Sequence, residues 1–353
     1  MEAARVKGLF CAAVLTDLMK AYEHVLHAKL VVFAKDTRFP LGLLRMCLAC
    51  YAGPRRLVVD GYCAAPFCIG GKSLNAGCGF ATTFLKVYTI KLFDMMWRWY
   101  PELSLYVFVD DVDINNTAES AEASSREVAK GTQRLLTEFK RVLGLKAGIS
   151  KCVLLGSTPA VRNHLTTAMA ALPRGQQIKV KPWGKKLGIQ FAIQNRRQAA
   201  LLRHRRHQAG TRAARIRTLR AAIPRRSRNQ IYNSACRPVA TYGGACWGFP
   251  DSAIKDLRSQ ASVVCGGASR FRSARLLGLL EPRGLVAPAV EAHVLPIAAW
   301  ARSVWMSRIG VDDLSDVLQL ARRTLDAATE PWKSVTGPGQ AFINVPPLRM
   351  DSH

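Results

Sequence analysis

The most evident absence in this sequence is that of acidic residues through its middle. No Asp or Glu occurs between Glu138 and Asp251, whereas basic residues continue from Lys140 to Arg237. Over the whole chain Lys and Arg outnumber Asp and Glu by 51 to 24, which gives a formal net charge of +27. A charge that served only solubility would be scattered along the chain. The clustering therefore predicts a surface that binds a polyanion.

The sequence also lacks a long apolar run. No stretch reaches the ~20 apolar residues that a membrane-spanning helix needs. Arg5 and Lys7 precede an apolar stretch in the manner of a signal peptide, but Asp17 and Lys20 cut that stretch short. We therefore expect no membrane segment, and an intracellular protein of the nucleus or cytoplasm that is not secreted.

Motifs for a zinc site are missing as well. The ten cysteines lie mostly inside apolar runs, where free thiols behave as small hydrophobic groups and indicate a reducing compartment. Cys47 and Cys50 form a CxxC, but no second Cys or His pair follows at zinc-binding spacing. His24 and His27 are three residues apart, so they could share one face of a helix, but no suitable third metal ligand is evident. We therefore expect both to pack in the protein or to lie on its surface.

What the sequence does contain is enough apolar material for a core. Its 353 residues are 49% apolar, which allows two or three domains. Apolar runs of strand length alternate with segments of helical periodicity, and this order predicts an α+β fold in which helices back an antiparallel sheet. The predicted strands are 9–16, 103–115 as a hairpin, 152–155 and 186–192. The predicted helices are 18–34, 39–51, 84–100 and 118–143.

The hairpin Leu103–Asn115 places two carboxylates together. A run of β-branched and aromatic residues leads into Asp110 and Asp111, which we expect at the tip. Adjacent carboxylates beside a buried strand need a compensating cation, and Mg²⁺ prefers such oxygen ligands. Asp17 repeats the arrangement at the end of the first strand. The alternatives are a solvated acidic turn and, for Asp17, a helix N-cap.

Several motifs in their order and spacing resemble those of reverse transcriptases, most closely the enzymes of non-LTR retrotransposons. The resemblance extends over residues 9–192 and more loosely to Gly248, and it implies a polymerase-type palm. Because few residues precede Asp17, it also implies that most of the fingers region is missing. The segments that carry the resemblance are Asp17-Leu-Met-Lys-Ala-Tyr22, Asn75–Thr83, Phe108-Val-Asp-Asp111, Lys151-Cys152 and Lys186-Leu-Gly188.

The resemblance implies roles for individual residues. Asp17, Asp110 and Asp111 would be catalytic and would hold Mg²⁺ or Mn²⁺ for nucleotidyl transfer. In the nucleotide site, Tyr22 would exclude the 2′-hydroxyl of the incoming sugar, and Gly77 would allow a close backbone approach. Lys151 would lie near the triphosphate. From the residues alone, Tyr22 is equally a buried aromatic, Gly77 an ordinary loop glycine and Lys151 a solvated lysine at a strand end.

The stretch from Arg196 to Arg228 is predicted to be a basic helix that Pro224 ends. Ala213, Ile216, Leu219 and Ile223 give it an apolar stripe, so its arginines would fan over the other faces toward phosphates. The alternatives are a solvated helix face and an anionic membrane surface, although the stripe lacks Trp and Phe. The arginines that we expect to bind nucleic acid are Arg196, Arg197, Arg203, Arg206, Arg212, Arg215, Arg217 and Arg220.

Together these features predict three regions: a palm over residues 1–192, a basic helical region resembling a thumb over 193–250, and a helical C-terminal region over 251–353 with a loose tail. The expected function is RNA-templated DNA synthesis, with an RNA template, a DNA primer and deoxynucleoside triphosphates as partners. Two alternatives stay open. One is a non-catalytic RNA- or DNA-binding remnant of a retroelement, and the other is a basic scaffold that docks acidic proteins.

Overall fold

A computed structural model describes residues 7–68, 70–75, 77–171, 178–193, 200–219, 221–265, 288–306 and 315. The fold is mixed, with a majority of helix and one five-stranded sheet, so the predicted α+β class is confirmed. The chain forms two compact units. The first comprises Leu9–Gly184, and the second contains the described residues from Lys185 onward.

The first unit is built on the five-stranded sheet, whose strand order is β4-β5-β1-β6-β7. The predicted antiparallel pairing is correct for the first four strands in that order, whereas β6 and β7 are parallel. The parallel pair follows from a crossover helix that joins the two strands. The strands are β1 Phe10–Asp17, β4 Ser104–Phe108, β5 Asp111–Ala118, β6 Val153–Gly156 and β7 Lys179–Lys181, with β2 Val58–Val59 and β3 Tyr62–Cys63 as a separate hairpin.

Six helices surround this sheet in the described part of the first unit. They are α1 Ala21–His24, α2 His27–Asp36, α3 Leu41–Ala52, α4 Ala81–Trp99, α5 Ala121–Glu138 with a π-helical continuation over Phe139–Leu143, and α6 Pro159–Ala170. The continuous helix predicted over 18–34 is wrong. Val25 and Leu26 are extended and pair with a neighbouring loop, since Ser73 N–H donates to Val25 O at 2.9 Å and Leu26 forms a bridge with Lys72.

Strand β1 lies at the centre of the sheet because its sequence is apolar on both faces. The inner residues of Phe-Cys-Ala-Ala-Val-Leu-Thr-Asp are all buried, as a strand covered on both sides requires. Its neighbour β5 alternates instead, with Val112 and Ile114 buried and Asp111 and Asp113 half-exposed. One face of β5 therefore packs on helices, and the other carries its acids.

Helix α5 covers the buried face of the sheet. The Ser120 side chain caps it by accepting from Ala123 N–H at 3.0 Å. Gly131 lets the helix approach closely, because a Cβ there would lie 2.3 Å from Leu103 Cδ1. Helix α6, which the sequence analysis did not predict, begins with Thr158 as its cap and Pro159 in its first turn.

The second unit is mainly helical. Two apolar clusters form its core, one around Phe249 and Leu257 and one around Tyr232 and Val264. The hairpin of β8 and β9 follows β7 in the sequence. The elements are β8 Gly184–Lys186, β9 Ile189–Phe191, α7 Ala200–Thr218, α8 Arg225–Ile231 with a π-helical continuation over Tyr232–Cys236, α9 Arg237–Thr241, α10 Gly244–Trp247, α11 Asp251–Cys265 and α12 Pro288–Trp305.

Two further expectations concern the C-terminal part. The helical pattern around Trp300 and Trp305 is confirmed by α12. The helix expected over 312–328, of which only residue 315 is described, and the loose tail after Glu330 lie outside the described residues. Within the described ranges, no helix has the length and apolar character needed to cross a bilayer.

Candidate catalytic site and basic surface

Strand register brings the three predicted acids to one edge of the sheet. Asp17, the last residue of β1, is the cross-strand partner of Asp111, the first residue of β5. Leu18 N–H donates to Asp110 O at 3.2 Å, so Leu18 and Asp110 are a hydrogen-bonded pair of the ladder. Asp17 and Asp111 are therefore a non-hydrogen-bonded pair, the type whose Cα atoms are about 4.5 Å apart. Residues far apart in sequence thus meet as directly opposed carboxylates, an arrangement that repulsion disfavours.

The turn that carries Asp110 is strained. Phe108 pairs with Asp111, so Val109 and Asp110 form a two-residue hairpin loop. Val109 has a φ of 60°, a region that suits glycine and that β-branched residues rarely enter. Such a conformation costs about 1–2 kcal/mol. Strain of this kind concentrates at functional sites, where the surrounding structure holds a side chain in place.

Lys151 supplies the positive charge at this edge. Its Nζ lies 2.8 Å from Asp17 Oδ2, and its backbone is held by a 2.8 Å hydrogen bond from Lys151 N–H to Gly148 O. Its pKa is raised above the ordinary value, first by the hydrogen bond to Asp17 and then by the charge of Asp17, with smaller contributions from Asp110 and Asp111. Lys151 therefore pairs directly with Asp17, and the charges of Asp110 and Asp111 also favour its ammonium form.

Carboxylates are the type of side chain that a hard divalent cation prefers, and strand register brings the backbones of Asp17 and Asp111 together. Asp17 Oδ2 is a buried atom, so the oxygen needs a cation beside it. Its present partner is the Lys151 ammonium. In the described ranges no three His, Cys, Asp or Glu side chains stand close enough together to hold a metal ion. A metal ion at Asp17 Oδ2 would compete with the Lys151 ammonium, whose side chain is 71% exposed.

The predicted nucleotide-site residues lie in the same unit. Tyr22, in α1, is half-buried, and its hydroxyl lies 3.4 Å from Thr82 Oγ1 at the start of α4. Leu74 N–H donates to Tyr22 O at 2.8 Å, which fixes the loop that leads to Gly77. Gly77 has a φ of 87°, so the turn itself accounts for this glycine. A Cβ at Gly77 would meet no atom within 4 Å.

Three further side chains on the acidic face, those of Asp113, Tyr106 and Phe108, were not predicted to belong to the site. Asp113 lies two residues after Asp111 and therefore on the same face of β5. Tyr106 pairs with Asp113, and Phe108 pairs with Asp111, so both rings share this face, and both are exposed. The strand alternation of Asp111-Val-Asp113 was the signal that could have identified them.

The basic surface lies on α7 in the second unit. The buried face of this helix consists of Leu202, Ala209, Ala213 and Ile216. The predicted apolar stripe is thus correct at Ala213 and Ile216 only. Leu219 is 51% exposed because α7 ends at Thr218. Pro224 was predicted to end this helix. It instead precedes the first residue of α8.

Some of the predicted arginines have structural partners. Arg206 Nη1 lies 3.4 Å from Asp256 Oδ2, and burial is the main cause that lowers its pKa. Arg212 Nη1 donates to Ala235 O at 2.7 Å, although its side chain is exposed. Arg205, which was not among the predicted arginines, stacks over the Tyr242 ring at 4.5 Å. Arg206 in particular belongs to the packing of α7 on α11 rather than to an open surface.

Other arginines remain available to an external anion. Arg203, Arg215 and Arg217 are exposed, and their guanidinium groups form no ion pair within the described part of the chain. Arg196, Arg197 and Arg220 lie outside the described residues. The open basic surface of α7 therefore consists of Arg203, Arg215 and Arg217, together with Arg212, whose side chain is exposed although it also donates to Ala235 O.

Comparisons with known proteins add no relative. A search of protein-family models and a search of curated proteins each find no match to this chain. The features of this chain that bear on its function are the acidic edge of the sheet, the basic helix and the motifs that resemble reverse transcriptases.

Proposed function

We propose that the chain is a reverse-transcriptase-like protein that synthesises DNA on an RNA template by two-metal nucleotidyl transfer. The observation that carries the proposal is the register that sets Asp17 opposite Asp111, with Asp110 in the adjoining turn. Acids at the end of a central strand and at a neighbouring hairpin are what a polymerase-type palm requires. The order of strands and helices in the first unit agrees with such a palm.

Asp17, Asp110 and Asp111 are the residues that would hold Mg²⁺ or Mn²⁺. Bound there, the ions would activate a primer 3′-hydroxyl and stabilise the leaving pyrophosphate. Three carboxylates at one edge also repel a nucleotide's phosphates, so this edge accepts a triphosphate only after their charge is neutralised. Lys151 performs part of that neutralisation.

Lys151 has a second role in this proposal. Its exposed ammonium can leave Asp17 and pair with a triphosphate, where it would offset the charge that develops on the departing pyrophosphate. Tyr22, held through Thr82 and Leu74, would lie beside the incoming sugar. Gly77 would contribute a turn that a side chain could not adopt without strain.

The basic surface would bind the phosphate backbone of the template and primer. Arginine forks match phosphate oxygens in a bidentate manner. If its four exposed arginines each neutralise one phosphate, the logarithm of affinity falls with the logarithm of salt with a slope of roughly −3.6. Arginines outside the described residues would make the slope steeper.

Primer extension on an RNA template tests the catalytic proposal. With Mg²⁺ or Mn²⁺ present, we expect incorporation of deoxynucleotides by the full chain and its loss in Asp110→Ala. Asp36→Ala is the matched control, because Asp36 is an exposed acid that pairs with Lys91 on another part of the unit. Incorporation that survives Asp110→Ala would contradict the proposal, as would its absence from the unmodified chain.

A second candidate is a non-catalytic protein that binds RNA or DNA. The favouring observation is the ion pair between Lys151 and Asp17, since it stands where a cation would bind and keeps the acids satisfied without one. This candidate predicts salt-sensitive RNA binding without incorporation. A protein that binds heparin and acidic proteins as tightly as RNA would instead fit a basic scaffold.

A further inference from the structure

One side of helix α5 and its π-helical continuation carries a row of cations that share two carboxylates. The members recur at spacings of three or four residues, so they lie on one side of the helix over about 22 Å. The exposed acid Glu122, one turn before the first arginine, ends the row. The row, which we name the α5 stripe, consists of Arg126, Glu127, Lys130, Arg134, Glu138 and Arg141.

Glu138 holds two arginines of the stripe in place. Its side chain is only 2% exposed, with Arg134 Nε 3.0 Å from one carboxylate oxygen and Arg141 Nη2 2.6 Å from the other. Arg141 Nε also donates to that second oxygen at 2.9 Å. Both arginine side chains are exposed. A buried carboxylate thus fixes two guanidinium groups at the surface, and a ligand that binds them costs little further side-chain ordering.

The stripe stays positive after its internal pairs are counted. Glu127 Oε1 lies 3.4 Å from Lys130 Nζ and 3.6 Å from Arg126 Nε, so this carboxylate is also shared between two cations. Four cations therefore face two carboxylates. Because exposed ion pairs contribute little free energy, an external anion can replace Glu127 as the partner of these cations at small cost.

An aromatic ring adjoins the middle of the stripe. Trp99, the last residue of α4, is 42% exposed, and Arg134 Cζ lies 4.3 Å from the centre of its ring. The surface therefore presents an indole ring and a guanidinium plane side by side. Nucleic-acid bases stack on aromatic rings and on guanidinium planes alike.

The stripe lies away from the acids of the sheet. Helix α5 packs on the face of β5 that carries Val112 and Ile114, whereas Asp111 and Asp113 lie on the other face. The stripe belongs to the first unit, and the basic surface of α7 belongs to the second. It is therefore a surface distinct from both sites described above.

We propose that the α5 stripe and Trp99 bind single-stranded nucleic acid, with phosphates on the cations and a base stacked beside Arg134. Charge complementarity favours a polyanion, and the indole selects among polyanions. An acidic protein segment uses the cations but offers the indole no stacking partner. A duplex keeps its bases stacked on one another, whereas a single strand offers both phosphates and free bases. This binding does not rest on the proposed catalysis, since a non-catalytic protein would show it equally.

Affinity for a short single-stranded RNA tests the role of Trp99. In the full chain, Trp99→Ala should raise the Kd in fluorescence anisotropy by about fivefold or more, because a base loses its stacking partner. The comparison is repeated with Arg215→Ala and Arg217→Ala present, so that binding to α7 does not mask the change. Trp97→Ala is the matched control, because Trp97 is 66% exposed but lies two residues away, on another side of α4.

The salt dependence of the same binding tests the cations. Arg126→Ala combined with Lys130→Ala should make the slope shallower by roughly 1.4 units, because each phosphate contact with a single strand contributes about 0.7. Lys35→Ala combined with Arg45→Ala, exposed cations on α2 and α3, is the matched control and should leave the slope unchanged. Asp110→Ala should bind RNA like the unmodified chain, so loss of catalysis and loss of this surface are distinguishable.

The outcomes that overturn the proposal are specific. It is wrong if Trp99→Ala and Trp97→Ala bind single-stranded RNA alike, if Trp99→Ala weakens duplex RNA binding as much, or if the Arg126 and Lys130 variant keeps its slope. Equal weakening of polyglutamate binding by Trp99→Ala would assign the surface to acidic proteins instead. If Trp99→Ala does not fold, Trp99→Leu, which keeps an apolar contact but has no ring, decides the result.

Discussion

The acidic edge of the sheet and the basic surface of α7 carry opposite charge and are built in opposite ways. The acids come from β1, the turn before β5 and β5 itself, and strand register alone makes them neighbours. The arginines come from one helix, and their spacing in the sequence already places them on its surface. The first site depends on long-range pairing, whereas the second depends on local structure.

The two regions also differ in how their charges are compensated. At the acidic edge Lys151 pairs with Asp17, and the charges of Asp110 and Asp111 also favour its ammonium, so the charges of these four side chains depend on one another. On α7 each guanidinium finds a different environment: Arg206 faces Asp256, Arg212 a backbone carbonyl, and Arg215 the solvent. Removing one member should therefore affect the whole acidic group but only one contact of the basic surface.

The largest expected effect comes from removing core packing beneath β5, the strand that carries Asp111. Ile114 is fully buried on the helix-facing side of β5, beside Val14 of β1. Ile114→Ala should lower the free energy of unfolding by about 2–5 kcal/mol, because it leaves a cavity in the core. Urea denaturation followed by circular dichroism measures this. Asn115→Ala, on the opposite face, should change stability by no more than about 0.5 kcal/mol, and equal losses in both variants would contradict the assigned faces.

The next largest effect distinguishes the arginines of α7 that would bind phosphates from those that pack within the protein. Arg215→Ala combined with Arg217→Ala should make the salt dependence of RNA binding shallower by roughly two units of slope, because two phosphate contacts are lost. The melting temperature should hardly change, since both side chains are exposed. Fluorescence anisotropy across a salt series provides the measurement.

Arg206→Ala is the contrasting variant on the same helix. Its side chain is 15% exposed and packs toward Asp256, so the change should lower thermal stability and leave the salt slope unaltered. A slope that falls equally for Arg206 and Arg215 would show that the structure does not separate their roles.

The smallest effect concerns the strained turn. Val109→Gly should raise the free energy of unfolding by at most about 1 kcal/mol, because the relief at positive φ is partly offset by the greater entropy of glycine in the unfolded chain. Val107→Gly, in β4, should destabilise because it only weakens a strand. Thermal melts of both variants check the sign. Destabilisation by Val109→Gly as large as that by Val107→Gly would argue against strain in the turn.

Elements that depend on local structure could be predicted from the sequence, whereas features that depend on long-range pairing could not. Period-two and helical patterns correctly predicted β1, α3, α4 and the hairpin of β4 and β5, because each pattern reflects burial of a continuous element. Helix α6 was missed, although Thr158 and Pro159 form a recognisable helix start. The break at Val25 was not predictable from local pattern, since its cause is pairing with Ser73, far along the chain.

The sites show the same limit. Asp17 and Asp110 were selected because each follows an apolar strand, and the family resemblance then implied their roles. Their meeting follows from register, which no local pattern contains. The arginines of α7 were evident from composition, yet only tertiary contacts distinguish Arg206 from Arg215.

We propose that Asp17, Asp110 and Asp111 share a divalent cation, in whose place the Lys151 ammonium pairs with Asp17. Calorimetric titration of Mn²⁺ into the full chain tests it most directly. We expect Lys151→Gln to bind Mn²⁺ more tightly than the unmodified protein, because the competing ammonium is gone, and Asp110→Asn to bind at least about tenfold more weakly. Asp36→Asn should match the unmodified protein. Equal Mn²⁺ affinity in all four proteins, or weaker binding by Lys151→Gln, would contradict the claim.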